Sequence, residues 1–170
     1  MVNNNNIILI GMPGSGKSTI GVLLAKKLGM SFVDTDILIQ ENEGRLLKDI
    51  IAEEGLDGFI AIENRINAGI KASNSVIAPG GSAVYGKEAM EHFARLGTII
   101  YLKLSYDTVK SRLGDLRERG VVFRPGQTLK DIYDERTVLY EKYAHVTVNG
   151  DSTVVSEVLL RVNDALQNVK

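Results

Sequence analysis

Residues 11–18 read Gly-Met-Pro-Gly-Ser-Gly-Lys-Ser, and they stand directly between an apolar run and a stretch with helical spacing. The run, Ile7-Ile8-Leu9-Ile10, has the pattern of a strand buried on both faces. From Ser18 onward, Ile20, Leu23, Leu24 and Leu28 recur at helical spacing until Gly29 supplies a stop. The eight residues fit G-x-x-x-x-G-K-[ST], and a strand before them with a helix after them is the context that this pattern requires. The glycines let consecutive backbone N–H groups turn inward around an anion without Cβ clashes. The helix N-terminus near Lys17 adds its dipole to the same point. The Lys17 ammonium then reaches the β- and γ-phosphates of a nucleotide, and the Ser18 hydroxyl is a ligand for Mg²⁺.

Composition narrows the rest. A chain of 170 residues is one domain's worth. At that length it buries roughly 70% of its unfolded surface and needs no staple. With no cysteine, disulfides and thiolate zinc sites are excluded. His92 and His145 are too far apart in sequence to suggest a metal site. The net charge of −1 gives no basic footprint for nucleic acid, so any anion must be held by local geometry. No apolar stretch reaches the roughly 18 residues of a membrane span. The N-terminus shows no signal-peptide pattern, and a cytoplasmic location is expected. Asn3 to Asn6 read as a disordered lead-in.

Further along, short apolar runs alternate with helical patterns. Strands are expected at 31–34, 75–78, 98–104 and 146–148. Helices are expected at 37–54 (interrupted near Gly44), 56–72, 87–96, 107–113, 128–143 and from Ser152 or Thr153 onward. Thr128 and Asp131 have capping-box spacing. Five strands alternating with helices predict an α/β fold, three layers α/β/α around a five-stranded parallel sheet. No linker divides residues 1–170. The arginine- and glycine-rich segment at about 114–127 is long for a plain connection and reads as a lid.

A nucleotide-phosphate site of this kind needs a carboxylate near its metal. The strands at 75–78 and 98–104 end without one, which leaves Asp34 and Asp36 at the end of the second strand. Ligands of open α/β sheets bind above strand C-termini, so both carboxylates are placed for work. One suits Mg²⁺, the other an acceptor hydroxyl. The plainer alternative is that Asp34 caps the next helix and Asp36 is solvated.

With these residues together, the chain resembles the shikimate kinases of the nucleoside-monophosphate-kinase-like P-loop group, over nearly its whole length. The likeness runs through the loop at 11–19, Asp34-Thr35-Asp36, Phe59 with Glu63, Gly80-Gly81 with Ala83-Val84, Arg112, and Arg136 to Ala144. That family phosphorylates the 3-hydroxyl of shikimate with ATP and Mg²⁺. The resemblance implies that Gly11, Gly14, Ser15, Gly16, Lys17, Ser18 and Thr19 bind ATP phosphates and that Arg112 lies against the adenine. It implies that Ser18 and Asp34 serve the metal, and that Asp36 binds the acceptor and is the base. Gly80 and Gly81 would offer N–H groups to the acceptor. Arg136 would pair with its carboxylate, for which a planar fork is suited. A lid arginine, Arg119 or Arg124, would lie over the transferring phosphoryl group. A monomer is expected, with no nucleic-acid or membrane partner.

Two departures fall at the acceptor end. Ile60 occupies a position where the family carries an arginine that grips the acceptor carboxylate, and Ser82 replaces a third glycine. Loss of a charged partner costs several kcal/mol, so another group, Arg65 for example, would have to compensate. Two further readings remain open on residues alone: a kinase of the same fold with another hydroxylated acceptor (a hydroxy-amino acid, a sugar acid or a nucleoside), and a nucleotide-binding protein without turnover.

Overall fold

The computed structural model describes residues 5–114 and 123–169. Five strands form one parallel sheet in the order β2-β3-β1-β4-β5. In chain order they are β1 (Asn6–Ile10), β2 (Ser31–Asp34), β3 (Ser75–Ala78), β4 (Gly97–Lys103) and β5 (Val146–Asn149). The helices are α1 (Lys17–Leu28), α2 (Thr35–Glu43), α3 (Leu47–Ala68), α4 (Lys87–Leu96), α5 (Tyr106–Leu113), α6 (Leu129–Tyr143) and α7 (Val155–Asn168).

Alternation along the strands divides the core. Ile8, Ile10, Ile77, Ile99 and Tyr101 face one side, packed with Met90 and Phe93 of α4, Val109 and Leu113 of α5, and Ile132 and Tyr140 of α6. Ile7, Leu9, Val76, Ile100 and Leu102 face the other side, covered by Ile20, Leu24 and Ala25 of α1 and by Val158 and Val162 of α7. A smaller cluster of Ile39, Ile50, Phe59 and Ile66 joins α2 to α3. The α/β fold with a five-stranded parallel sheet is as the alternation predicts.

Several local expectations change. Asn6 is not part of a loose lead-in. It opens β1, is buried, donates to the carbonyls of Ala72 (2.9 Å) and Leu96 (3.0 Å), and accepts from the Ser75 backbone N–H (2.9 Å). Its amide ties the starts of β1 and β3 to the end of α4, where a hydrocarbon side chain would leave backbone groups unpaired.

The helix expected from residue 37 starts at Thr35, because Asp34 caps it. The helix expected over 56–72 joins the preceding one and ends at Ala68, with a break at Gly55 (φ 72°, ψ −178°) that only glycine adopts without strain. Ser152 does not occupy the cap position of α7. It lies just ahead, accepting from Val154 N–H and donating to Glu157. The capping box at Thr128 and Asp131 is present.

Candidate active site

The C-terminal ends of β1, β2 and β3 open into a cleft of about 640 Å³. One end is the loop from Pro13 to Thr19; the other is walled by Gln40, Leu46, Leu47, Ile51, Phe59, Gly80, Gly81, Ser82 and Arg136. Asp34 and Asp36 line the space along with them.

At the loop end, Lys17 is nearly buried and its ammonium donates to the carbonyls of Gly11 (2.8 Å) and Met12 (2.9 Å) and to Ser15 Oγ (3.4 Å). Burial lowers its pKa to about 8, opposed by the carboxylate of Asp36; Arg136 lowers it further, and Asp34 and Glu63 raise it. Ser18 and Thr19, at the head of α1, face the cleft.

Asp34 serves two purposes at once. Its Oδ1 accepts from Asp36 N–H (2.9 Å) as the cap of α2, and its Oδ2 accepts from Ser18 Oγ (3.4 Å). Capping and facing the loop serine are therefore not alternatives: one oxygen does each. Asp36 projects from the first turn of α2. Burial raises its pKa, the neighbouring Asp34 carboxylate raises it further, and Lys17 opposes both.

Gly80 and Gly81 follow β3, where a side chain on either would displace a neighbour. A Cβ on Gly80 would lie 2.9 Å from Asp36 Oδ1. One on Gly81 would lie 2.7 Å from Pro13 Cδ and 3.2 Å from Arg136 Nη1. Arg136 on α6 is 1% exposed, which excludes the surface ion pair its neighbour Glu135 suggests. Its guanidinium lies over the Tyr85 ring (5.3 Å), and Nε donates to Tyr85 Oη (3.3 Å). Tyr140, a core residue by its pattern, also donates to the Gly81 carbonyl (2.6 Å) and so fixes the turn.

Glu63 is buried and accepts from Ser82 Oγ (2.6 and 3.2 Å to its two oxygens). Burial pushes its pKa up to about 7, against the hydrogen bond from Ser82; Asp36 adds to the rise, while Arg136 and Lys17 oppose it. Ser82 thus supplies a hydroxyl that satisfies a buried carboxyl.

Arg112, Arg124, Arg65 and Ile60 are not among the residues that line the cleft. Arg112 donates to the carbonyls of Gly14 (3.1 Å) and Ser152 (3.0 Å), beside the loop. Arg124 reaches Asp57 of α3 (3.4 Å) and does not line the cleft. Arg119, with the rest of 115–122, lies outside the described residues. Arg65 is exposed and pairs with Glu43 (2.7 Å), so it supplies no cation to the cleft. Ile60 is half-buried on α3 and is not among the residues facing the cleft. Tyr85, Tyr140 and Ser82 carry no sequence signal of their contacts, because each acts on a partner distant along the chain.

The shikimate kinase family profile matches residues 13–167. The chain belongs to the shikimate kinase family. It is 35% identical to the shikimate kinase of Sulfurihydrogenibium sp. over 162 residues, covering 92% of this chain and 97% of that one. It is equally identical to that of Pasteurella multocida, over 99% of both chains. Among solved structures, the shikimate kinase of Acinetobacter baumannii in complex with shikimate superposes with a TM-score of 0.87 at 26% identity, over 99% of this chain and 96% of that chain. The predicted ATP-dependent phosphotransferase with an alcohol acceptor is therefore the activity of the family to which this chain belongs. No helix among the described residues is long and apolar enough to cross a membrane.

Proposed function

We propose that this chain transfers the γ-phosphoryl group of ATP to the 3-hydroxyl of shikimate, with Asp36 as base and Arg136 as carboxylate partner. The observation that carries the reading is the convergence of the phosphate loop, Asp36, the Gly80-Gly81 turn and a buried arginine on one cleft. Gly11 to Thr19 hold the triphosphate through inward N–H groups and the dipole of α1. Lys17 turns from its loop carbonyls to the β- and γ-phosphates, where it balances charge that develops on transfer.

Asp36 accepts the proton of the acceptor hydroxyl as that oxygen bonds to the γ-phosphorus. The bond to the bridging oxygen breaks, ADP leaves, and the proton is released from Asp36 afterwards. The raised pKa of Asp36 suits it to this transfer. Gly80 and Gly81 would offer backbone N–H groups to the acceptor, and a side chain on either would press on Asp36 or on Pro13.

Mg²⁺ fits the donors at the loop end. Ser18 Oγ and Asp34 Oδ2 are hard oxygens 3.4 Å apart. Among the described residues no cluster of three or more His, Cys, Asp or Glu forms a cage. One carboxylate and one hydroxyl, completed by water and substrate phosphates, are the usual share of a protein in binding this ion. When bound it neutralises phosphate charge. Ser18 and Asp34 are the residues that would hold it.

A coupled ADP-release assay tests the reading. The expected result is turnover that requires ATP, Mg²⁺ and shikimate together. ADP formation that ignores shikimate, or that appears only with another hydroxylated compound, would overturn it.

A further inference from the structure

The acceptor end of the cleft must satisfy a carboxylate as well as a row of hydroxyls. Among the described residues, three cationic side chains line the cleft: Lys17, Lys48 and Arg136. Lys17 is held by the carbonyls of the phosphate loop. Arg136 is buried under the Gly81 turn. Lys48 belongs to a different wall, the first turn of α3, where its neighbours Leu46, Leu47 and Ile51 are all apolar.

Several charged side chains near Lys48 in sequence pair with one another, apart from the adjacent Asp49. Arg45 bonds to Glu43, Glu53 and Glu54, and Arg65 takes the other oxygen of Glu43. Lys48 joins none of these pairs, and nothing else among the described residues bonds to its ammonium. It is an exposed cation at the cleft wall with an apolar surround, in a site whose other acceptor-side cation comes from α6. An ammonium on a four-carbon stem reaches inward without disturbing the wall that carries it.

We infer that Lys48 is a specificity-determining residue of the acceptor site, pairing with the acceptor carboxylate alongside Arg136. It favours anionic over neutral hydroxylated acceptors and draws them in from solvent. The inference rests on the proposed shikimate reading. Lys48 touches neither the phosphate loop nor Asp36, so it acts on acceptor binding and leaves the chemical step largely alone.

Steady-state kinetics of Lys48→Met and Lys48→Arg test it, with shikimate and its neutral methyl ester as acceptors. The expected Lys48→Met result is a shikimate KM raised about tenfold, with kcat and the ATP KM within twofold of the unsubstituted chain. The methyl ester KM stays within twofold, and Lys48→Arg restores the shikimate KM. A Lys48→Met variant with an unchanged shikimate KM would overturn the inference. So would an equal rise for shikimate and its ester, which would show a loss of packing and not of charge. Absence of shikimate turnover in the unsubstituted chain would instead sink the acceptor assignment itself, so the two failures are distinguishable.

Discussion

At the nucleotide end of the cleft, Pro13 to Thr19 come from one unbroken segment that joins β1 to α1. At the acceptor end, Asp36 comes from α2, Phe59 from α3, Gly80 and Gly81 from the turn after β3, and Arg136 from α6. On the proposed reading, the first end would bind mainly through backbone N–H groups and a helix dipole, which a glycine-rich turn before a helix supplies. The second binds through side chains whose positions depend on packing across the domain. The phosphate of ATP is common to many reactions, whereas the acceptor defines this one. A contiguous loop therefore suits the shared substrate, and a dispersed set of side chains suits the particular one. The ends come close where Gly81 packs toward the Pro13 ring and where Lys17 faces Asp36.

The sharpest way to separate the two ends is a pair of substitutions. Lys17→Ala removes a cation placed for the transferring group, and kcat should fall by about three orders of magnitude. The fold should persist, because the lysine is a buried charge whose removal relieves desolvation. A variant with near-normal turnover would sink the assignment of the loop. Arg136→Ala should instead raise the shikimate KM by two to three orders of magnitude, since truncating a buried charged partner costs about 2–5 kcal/mol. The ATP KM should barely move. Equal effects on both constants would dissolve the distinction between the ends. A melting curve checks that Tyr85 and the Gly81 turn survive the loss of the guanidinium.

The same contrast explains what could be read from sequence. The loop was legible because its chemistry needs neighbours in sequence. Asp34 and Asp36 were legible because strand ends point at the crevice. The double use of Asp34 was not, since it depends on each oxygen finding a different partner. Arg136 was legible as a cation, but its burial was not: the pattern shows only Glu135 beside it, while Tyr85 lies 51 residues away. Asn6 reads as loose chain because its neighbours are asparagines; its amide finds three partners only where Ala72, Ser75 at the head of β3 and Leu96 at the end of α4 pack together. The wall made by Leu46, Leu47 and Ile51 depends on the bend at Gly55, which separates two helical patterns without revealing their angle.

Glu63 offers a test of how tightly the acceptor end is packed. Its folded pKa of about 7 lies above the ordinary 4.5. Between those values the folded state binds more protons than the unfolded state, so stability falls as pH rises. The contribution is fully present below about pH 4.5 and lost by about pH 7, a change of about 3 kcal/mol. Glu63→Gln abolishes that titration while keeping an acceptor for Ser82. Urea unfolding at pH 5 and pH 7.5 should show the unsubstituted chain losing about 2 kcal/mol relative to the Gln variant. A difference that does not vary with pH would mean that Glu63 is already ionised and solvated in the fold, and that the acceptor end is looser than the loop end.

Arg112 probes the nucleotide end with a side chain in place of backbone, and its effect should be the smallest. Its guanidinium bridges the carbonyls of Gly14 and Ser152. In that place it braces the loop, and the base-stacking role proposed for it would use the flat face of the same guanidinium. Arg112→Ala should raise the ATP KM about tenfold and leave the shikimate KM unchanged. Arg112→Lys keeps the charge but not the two-bonded planar fork, so it should fail to restore ATP binding. If Lys does restore it, simple charge attraction suffices. If kcat falls while the ATP KM holds, the arginine acts by bracing Gly14, and the loop needs support from a side chain 98 residues away. Either result would make the nucleotide end less self-contained than its single segment implies.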